Sequence, residues 1–160
     1  MLSGSLNFVF NNFVNGANFR KVVKAAQDEG YTEPDPRLDL GGTDVMRKIM
    51  ILAREAGYKM DLEEVDNHSF MPEDCMQGDI PSFYQQMELH EDHFKQLYND
   101  AENEGAKLKF VAQFQNGKAS VGLKKIPPAH DFYHLYGKDN VVLFYTNRYT
   151  EQPLVIKGAG

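Results

Sequence analysis

The chain has 160 residues, of which 42% are hydrophobic and 25% charged, as in one ordinary globular domain. Its 17 basic and 23 acidic residues give a formal net charge of −6. Without a block of Lys or Arg, this balance argues against nucleic acid or an anionic membrane as a partner. No apolar run approaches the roughly 20 residues that span a bilayer. The single cysteine, Cys75, cannot form an internal disulfide, which fits a cytoplasmic protein.

The first half of the chain shows helical spacing of apolar residues. A short helix is predicted before Gly16, with Ser5 as candidate N-cap and an apolar stripe at Leu6, Val9, Phe10 and Phe13, although Leu6, Phe8 and Phe10 also suit a strand. A second helix is predicted between Asn18 as N-cap and Gly30 as stop. The same spacing predicts two later helices, a medium one and a long amphipathic one, at about 43–58 and 79–105.

The second half of the chain has the pattern of strands. Apolar residues alternate on both sides of Asn116-Gly117, a strong hairpin signal. Two further strands are predicted at about Val141–Thr146 and Pro153–Lys157. Helices therefore precede strands without βαβ alternation. This order predicts an α+β fold, with N-terminal helices followed by a mixed or antiparallel sheet of about four strands and the long helix packed on it.

An acidic loop separates the second and third predicted helices. It carries four carboxylates within twelve residues, at Glu33, Asp35, Asp39 and Asp44. Pro34 and Pro36 remove two backbone donors and hold the preceding residues extended. Because like charges this close repel one another, the cluster costs stability unless something cationic offsets it.

Two interpretations of this acidic loop stay open on the pattern alone. In the first, the acids simply favour turns, and Asp44 and Lys48 form an ordinary i,i+4 helix pair. In the second, the rigid loop binds a cation, either a divalent metal such as Mg²⁺ or an ammonium ligand, with Lys48 as a proton donor. A helix–loop–helix calcium site is excluded, because its register is absent and two prolines interrupt it.

The histidines and the cysteine give weaker signals. His90 and His93 lie three residues apart on the predicted long helix but have no evident third ligand, so we expect a surface helix there. His130 and His134 have the same weakness. Cys75 lies beside two acids rather than in an electropositive setting, so we expect an unreactive thiol. No metal site is predicted.

The stretch GYTEPDPRLDLGGTDVMRK resembles the substrate-binding segment of homoserine dehydrogenases, whose pattern is close to G-Y-x-E-x-D-P-x-x-D-x-x-G-x-D-x-x-x-K. The matching positions are Gly30, Tyr31, Glu33, Asp35, Pro36, Asp39, Gly42, Asp44 and Lys48. SGSLNFVF near the start and YTEQPLVIKGAG at the end are also similar to that family, so the resemblance extends over residues 3–160. The middle of the chain is most similar to bifunctional aspartokinase–homoserine dehydrogenases.

This resemblance implies an NAD(P)-dependent oxidoreductase that interconverts L-aspartate 4-semialdehyde and L-homoserine in threonine, methionine and isoleucine biosynthesis. It implies that Glu33 and Asp39 hold the α-ammonium of the substrate. Asp44 would contact the substrate and orient Lys48. Lys48 would exchange a proton with the C4 oxygen as hydride moves to or from the adjacent carbon.

The resemblance adds further site residues and two departures from the family pattern. Tyr31 and Ser5 complete the implied substrate-binding set, and Gly158 and Gly160 of the closing glycine turn would approach the cofactor. Ser5 replaces the usual Thr but keeps a hydroxyl. Leu38 stands where many bifunctional members carry an additional Asp, so the carboxylate set is smaller by one.

The chain also lacks a G-x-G-x-x-G motif after a strand. NADP or NAD would therefore be bound mainly by a separate domain, which in this family also carries a second active-site lysine. We expect residues 1–160 to be the substrate-binding and dimerisation part of a longer cytoplasmic enzyme, forming a homodimer through strands at about 107–157 and inactive alone. The alternative is a non-enzymatic module whose acidic loop holds a divalent cation.

Overall fold

The computed structural model describes residues 2–14, 16–137 and 139–159. Over these ranges the chain forms six α-helices, α1 to α6, with bounds Gly4–Asn12, Phe19–Asp28, Arg37–Leu40, Thr43–Glu55, Ile80–Leu89 and Glu91–Asn103. It also forms five strands, β1 to β5, with bounds Val65–His68, Lys107–Gln115, Lys118–Ile126, Asp139–Phe144 and Leu154–Ala159. Two short 3₁₀ turns lie at Leu62–Glu64 and Glu73–Met76. Among these helices, none is long and apolar enough to cross a membrane.

The predicted α+β class is confirmed. β2 and β3 form an antiparallel hairpin in which Gln115 pairs with Lys118. The two residues between them, Asn116 and Gly117, have φ values of 53° and 77°, the left-handed pair that a two-residue turn between twisted strands requires. The hairpin was therefore correctly predicted from the Asn-Gly signal.

The strands differ in two ways from the single sheet expected from the sequence. β1 is an additional strand that pairs in parallel with β3, giving a three-stranded sheet of order β1-β3-β2. Its sequence VDNH has only Val65 buried, so it carries no alternating apolar signal. β4 and β5 form a separate antiparallel pair. Their bounds lie within two residues of the predicted ones, and β5 ends at Ala159.

The predicted long helix is wrong, because it is two helices that meet at His90. This residue has φ −98° and ψ 16°, so it interrupts the helix between α5 and α6. The break places Glu91 at the start of α6, where both carboxylate oxygens accept from the N–H of Phe19 at 3.2 and 3.3 Å. Apolar spacing does not detect a single non-helical residue. The third predicted helix also ends early, at Glu55, because Gly57 adopts φ 91° just beyond it.

The main core lies between the helices and one face of the three-stranded sheet, and aromatic rings fill its centre. Phe19 is fully buried, stacks on Phe94 at 4.2 Å and meets Phe13 edge-on at 5.0 Å. Phe70 connects this group to Phe110 of β2. Such ring pairs add stabilisation beyond the area that they bury.

The opposite face of β2 carries a buried lysine. Because side chains alternate along a strand, Lys109 points away from the main core. It lies beside a small apolar cluster formed by Ile126, Phe132, Leu135 and Val141. Its ammonium donates to Asn7 Oδ1 at 3.0 Å, Asn11 Oδ1 at 2.5 Å and the Leu135 carbonyl at 2.9 Å. Burial, aided by the charge of Lys107, lowers the pKa of Lys109 to about 8.

Replacing Lys109 with Met tests this buried charge. The pKa of Lys109 is about 8 in the folded chain against an ordinary lysine value of 10.5, so the unfolded chain binds more protons between these pH values. The free energy of unfolding of the wild-type chain should therefore rise over this interval, by about 3 kcal/mol relative to the Lys109→Met variant. Urea unfolding of both proteins at a series of pH values measures the effect. A difference between the two that does not change with pH would contradict it.

Candidate active site

An acidic cavity of about 500 Å³ lies where the start of α1, the end of α2, the acidic loop and the start of α4 meet. The residues that line it are Ser3, Gly4, Ser5, Glu29, Gly30, Tyr31, Asp39, Asp44 and Lys48. Five of the six side chains implied as catalytic or substrate-binding are therefore brought together from segments far apart in the chain. Most of the cavity wall is polar, which suits a small charged ligand rather than an apolar one.

The N-terminus of α1 forms one wall of the acidic cavity. The structure corrects the predicted cap: Ser3, not Ser5, precedes the helix, and its Oγ accepts from the N–H of Leu6 at 3.2 Å. Ser5 lies in the first turn, so its hydroxyl is not used for capping and donates to Asp39 Oδ1 at 2.7 Å. The first N–H groups of a helix have no acceptor within the helix, and they give this wall a partial positive charge.

Asp39 connects the acidic loop to α1. Its Oδ1 accepts from Ser5 Oγ, and its Oδ2 accepts from the N–H of Glu33 at 2.9 Å. Each carboxylate oxygen has two lone pairs, so both oxygens keep capacity for a ligand after these two bonds. The two donors therefore hold the carboxylate in place and leave acceptor sites on both of its oxygens, as a binding site for an ammonium group requires.

Asp44 and Lys48 occupy one face of α4, one turn apart. Lys48 Nζ lies 2.6 Å from Asp44 Oδ2 and donates to the Leu2 carbonyl at 3.0 Å. The side chain of Lys48 is 46% exposed and that of Asp44 is 55% exposed. An ion pair as exposed as this contributes little to stability. An ammonium has three N–H donors. The described residues take two of them, which leaves one N–H of Lys48 for a ligand in the cavity.

Asp35 has a different role from the other loop acids. The Arg37 guanidinium holds it through two bonds, Nε to Oδ1 at 2.9 Å and Nη2 to Oδ2 at 2.6 Å, and this lowers the pKa of Asp35. Arg37 also donates to the Gly78 carbonyl at 2.6 Å. The repulsion expected among the four acids is thus relieved within the loop by an arginine that the sequence analysis did not consider.

The end of α2 contributes a carboxylate that the sequence analysis missed. Gly30 has φ 74°, the left-handed conformation that ends a helix and turns the chain back. This turn places Glu29 and Tyr31 on the cavity wall. The Tyr31 ring stacks on Phe8 of α1 at 4.2 Å, which holds the turn against α1. In the sequence, Glu29 was marked as a site residue only by its position next to Gly30, the first residue of the family motif.

Three other implied residues lie elsewhere. Glu33 is exposed and contributes its backbone N–H to Asp39, but its side chain does not line the cavity. Gly158 lies near the end of β5, where it pairs with Asn140, and does not line the cavity either. Gly160 lies outside the described residues. The roles of all three in binding stay predictions.

The histidines and the cysteine lie outside the acidic cavity. His93 Nε2 lies 2.9 Å from the Phe70 carbonyl, and His90 Nε2 lies 2.7 Å from Asp74 Oδ2. Cys75 is fully buried. Burial and the neighbouring charge of Asp74 raise the pKa of the Cys75 thiol to about 11, which agrees with the prediction that it is not a nucleophile.

Comparison with known proteins places this chain in a family. The family model described as homoserine dehydrogenase matches residues 1–160. Bifunctional aspartokinase/homoserine dehydrogenase 2 of Arabidopsis thaliana is 41% identical over 162 residues, which cover 99% of this chain and 18% of that protein. Homoserine dehydrogenase of Paracoccidioides brasiliensis is 38% identical over 176 residues, covering 100% of this chain and 46% of that protein.

The fold agrees with these matches. A crystal structure of a Candida auris protein of unknown function superposes with a TM-score of 0.92 at 38% identity, covering 100% of this chain and 47% of that one. This chain therefore spans less than half of the relatives that it matches. With the family model matched from end to end, the chain belongs to the homoserine dehydrogenase family.

Proposed function

We propose that this chain supplies the substrate-binding and proton-transfer part of an enzyme that interconverts L-aspartate 4-semialdehyde and L-homoserine with NAD(P)H. The observation that carries this proposal is the convergence of Ser5, Asp39, Asp44 and Lys48 on one polar cavity in a member of the homoserine dehydrogenase family. A metal-binding acidic loop does not explain why a lysine faces the same cavity.

The charges of the cavity match those of an amino acid. The substrate α-ammonium would bind at Asp39, whose two oxygens are already oriented by Ser5 and the Glu33 N–H. The exposed Glu33 side chain would close over it as the second carboxylate. The substrate α-carboxylate would lie at the N-terminus of α1, where Gly4 and Ser5 line the cavity and backbone N–H groups favour an anion.

Lys48 is the proton donor in this arrangement. With its third N–H directed at the C4 oxygen of the substrate, its ammonium stabilises the negative charge that develops on that oxygen during reduction and then protonates it. In the oxidation direction the same transfer runs in reverse, and the amine form of Lys48 takes the hydroxyl proton. Asp44, 2.6 Å from Nζ, keeps Lys48 positioned for this transfer. Reduced nicotinamide supplies the hydride.

We propose that the described residues alone do not bind the whole nicotinamide dinucleotide. None of the described strands is followed by a glycine-rich turn and a helix, the unit that binds the pyrophosphate. Near the end of β5, a Cβ built on Gly158 would meet nothing within 4 Å, and the buried Oδ1 of Asn140 has no hydrogen-bond partner among the described residues. We therefore propose that NADP or NAD binds mainly to a separate Rossmann domain and reaches this chain near Gly158.

The assembly of the protein is part of the same proposal. Leu154, Val155 and Ile156 of β5 are all exposed, and a two-stranded sheet is marginally stable by itself. We propose that the strands at about 107–157 are covered by a second copy of the protein in a homodimer. We also propose a cytoplasmic enzyme, although the plant relatives are named chloroplastic. Several relatives are named as bifunctional with an aspartokinase, and we propose the same for the parent of this chain.

Lys48→Ala in the full-length enzyme should lower kcat by about 10²–10⁴-fold, since general acid–base groups contribute that much. Steady-state kinetics of homoserine oxidation measure the loss. Arg47→Ala is the matched control, because Arg47 is the exposed neighbour on the same helix and does not line the cavity. Equal kcat values for the two variants would contradict the role assigned to Lys48. They would instead favour a purely structural role for this chain.

Ser5→Ala should raise KM for homoserine about 10-fold with a small effect on kcat. The change removes the Oγ donor that orients Asp39, and a hydrogen bond to a charged group contributes about 1.5–3 kcal/mol. Ser5→Thr keeps the hydroxyl and should restore KM close to the wild-type value. An unchanged KM in Ser5→Ala would show that the orientation of Asp39 does not limit substrate binding.

The 160-residue chain alone should not oxidise NADPH when aspartate semialdehyde is added, because the dinucleotide unit lies outside it. Absorbance of the nicotinamide band measures this directly, and turnover by the chain would overturn the proposed division of the site. Calorimetric titration with Mg²⁺ tests the non-enzymatic alternative. Stoichiometric Mg²⁺ binding that is lost in Asp39→Asn would favour that alternative over the enzyme.

A further inference from the structure

A second cluster of polar side chains lies apart from the acidic cavity, between the 3₁₀ turn at Glu73–Met76 and the junction of α5 and α6. We propose that Asp74, Cys75 and His90 form a binding site for a divalent transition-metal ion of the Zn²⁺ class. A bound ion would tie the turn to the junction of the two helices. None of these three residues lines the acidic cavity.

The geometry of the cluster is close to that of a metal centre. One carboxylate oxygen, the thiol sulfur and one imidazole nitrogen all lie within 4.8 Å of one another, and His90 Nε2 is 2.7 Å from Asp74 Oδ2. Metal–ligand distances of about 2.0–2.3 Å put the ligands of a tetrahedral zinc about 3.3–3.8 Å apart. Side-chain shifts of roughly 1 Å therefore convert the cluster into three ligands of one ion.

The fold presents these three groups from two elements. Asp74 and Cys75 are consecutive residues of the 3₁₀ turn. His90 is the single non-helical residue between α5 and α6. A continuous helix, as the apolar spacing predicted, would not have this interruption. The Phe70 carbonyl contacts His93 Nε2 at 2.9 Å, which holds the start of α6 against the segment that leads into the turn.

Open space adjoins the cluster at His90. His90 and Pro72 line a cavity of about 610 Å³ that is separate from the acidic cavity, so the imidazole has space beside it. Cys75 approaches from the buried side, with 0% exposure, while the side chains of His90 and Asp74 are 33% and 54% exposed. Three protein ligands with a water in the fourth position are a recurrent zinc arrangement.

The chemistry of the donors selects the class of ion. One thiolate, one imidazole and one carboxylate suit Zn²⁺ or Co²⁺, whereas Mg²⁺ and Ca²⁺ prefer oxygen ligands. On binding, the thiol of Cys75 releases its proton to solvent, and the thiolate and the Asp74 carboxylate together balance the two charges of the ion. The site therefore differs in kind from the cation site considered for the acidic loop.

Titration of the 160-residue chain with Co²⁺ tests the proposal without any assay of turnover. Because Cys75 is the single cysteine, a thiolate-to-cobalt charge-transfer band reports on this site alone. We expect one Co²⁺ per chain, the band at saturation, and loss of the band when Zn²⁺ displaces Co²⁺. Absence of the band, or of stoichiometric binding, would overturn the proposal.

Variants of the three ligands identify the site. Cys75→Ser should abolish the band, and Asp74→Asn and His90→Gln should each weaken Co²⁺ binding by about 100-fold or more, since even outer partners of metal ligands contribute 10–100-fold. Glu73→Gln and His134→Gln are matched controls that keep wild-type binding. Circular dichroism checks folding, and the partly exposed His90 gives a test even if Cys75→Ser fails to fold. Equal binding by the ligand and control variants would contradict the assignment.

Discussion

The hydrogen bond between Lys109 Nζ and Asn7 Oδ1 fixes the position of α1, and the rest of the structure depends on where α1 lies. This helix is covered on both sides, because its apolar side chains enter the main core while Asn7 faces β2. The amide of Asn7 also donates to the carbonyls of Gly137 and Asp139, which joins β4 to the same helix. A buried polar network of this kind is stabilising only when every member has a partner.

The position of α1 has a direct consequence for the acidic cavity. Lys109 contacts one side of α1. Ser3 and Ser5 lie at the start of the same helix, where Ser5 contacts the acidic loop. The hydroxyl of Ser5 then positions Asp39, and the Leu2 carbonyl just before the helix accepts from Lys48. The core and the candidate active site are therefore coupled, since a shift of α1 would move donors and acceptors in both.

The loop tolerates its four acids because each has a distinct environment. Arg37 neutralises Asp35 and, through the Gly78 carbonyl, attaches the loop to the segment after the 3₁₀ turn. Asp39 is stabilised by neutral donors, and Asp44 by Lys48. Asp39 and Asp44 line the open cavity, whereas the Glu33 side chain is exposed outside it.

Local sequence alone determined the elements whose signals lie within a few residues. The Asn18 cap, the stop at Gly30 and the Asn116-Gly117 turn each depend on local backbone chemistry, and each was predicted correctly. The motif from Gly30 to Lys48 is also local, and its resemblance to homoserine dehydrogenases is confirmed by the family match. Only the tertiary structure decided which groups meet across the chain, namely Ser5 with Asp39, Lys109 with Asn7, and His90 with Asp74. These contacts join residues 16 to 102 positions apart. They depend on how distant segments pack, so a pattern within a few residues does not predict them.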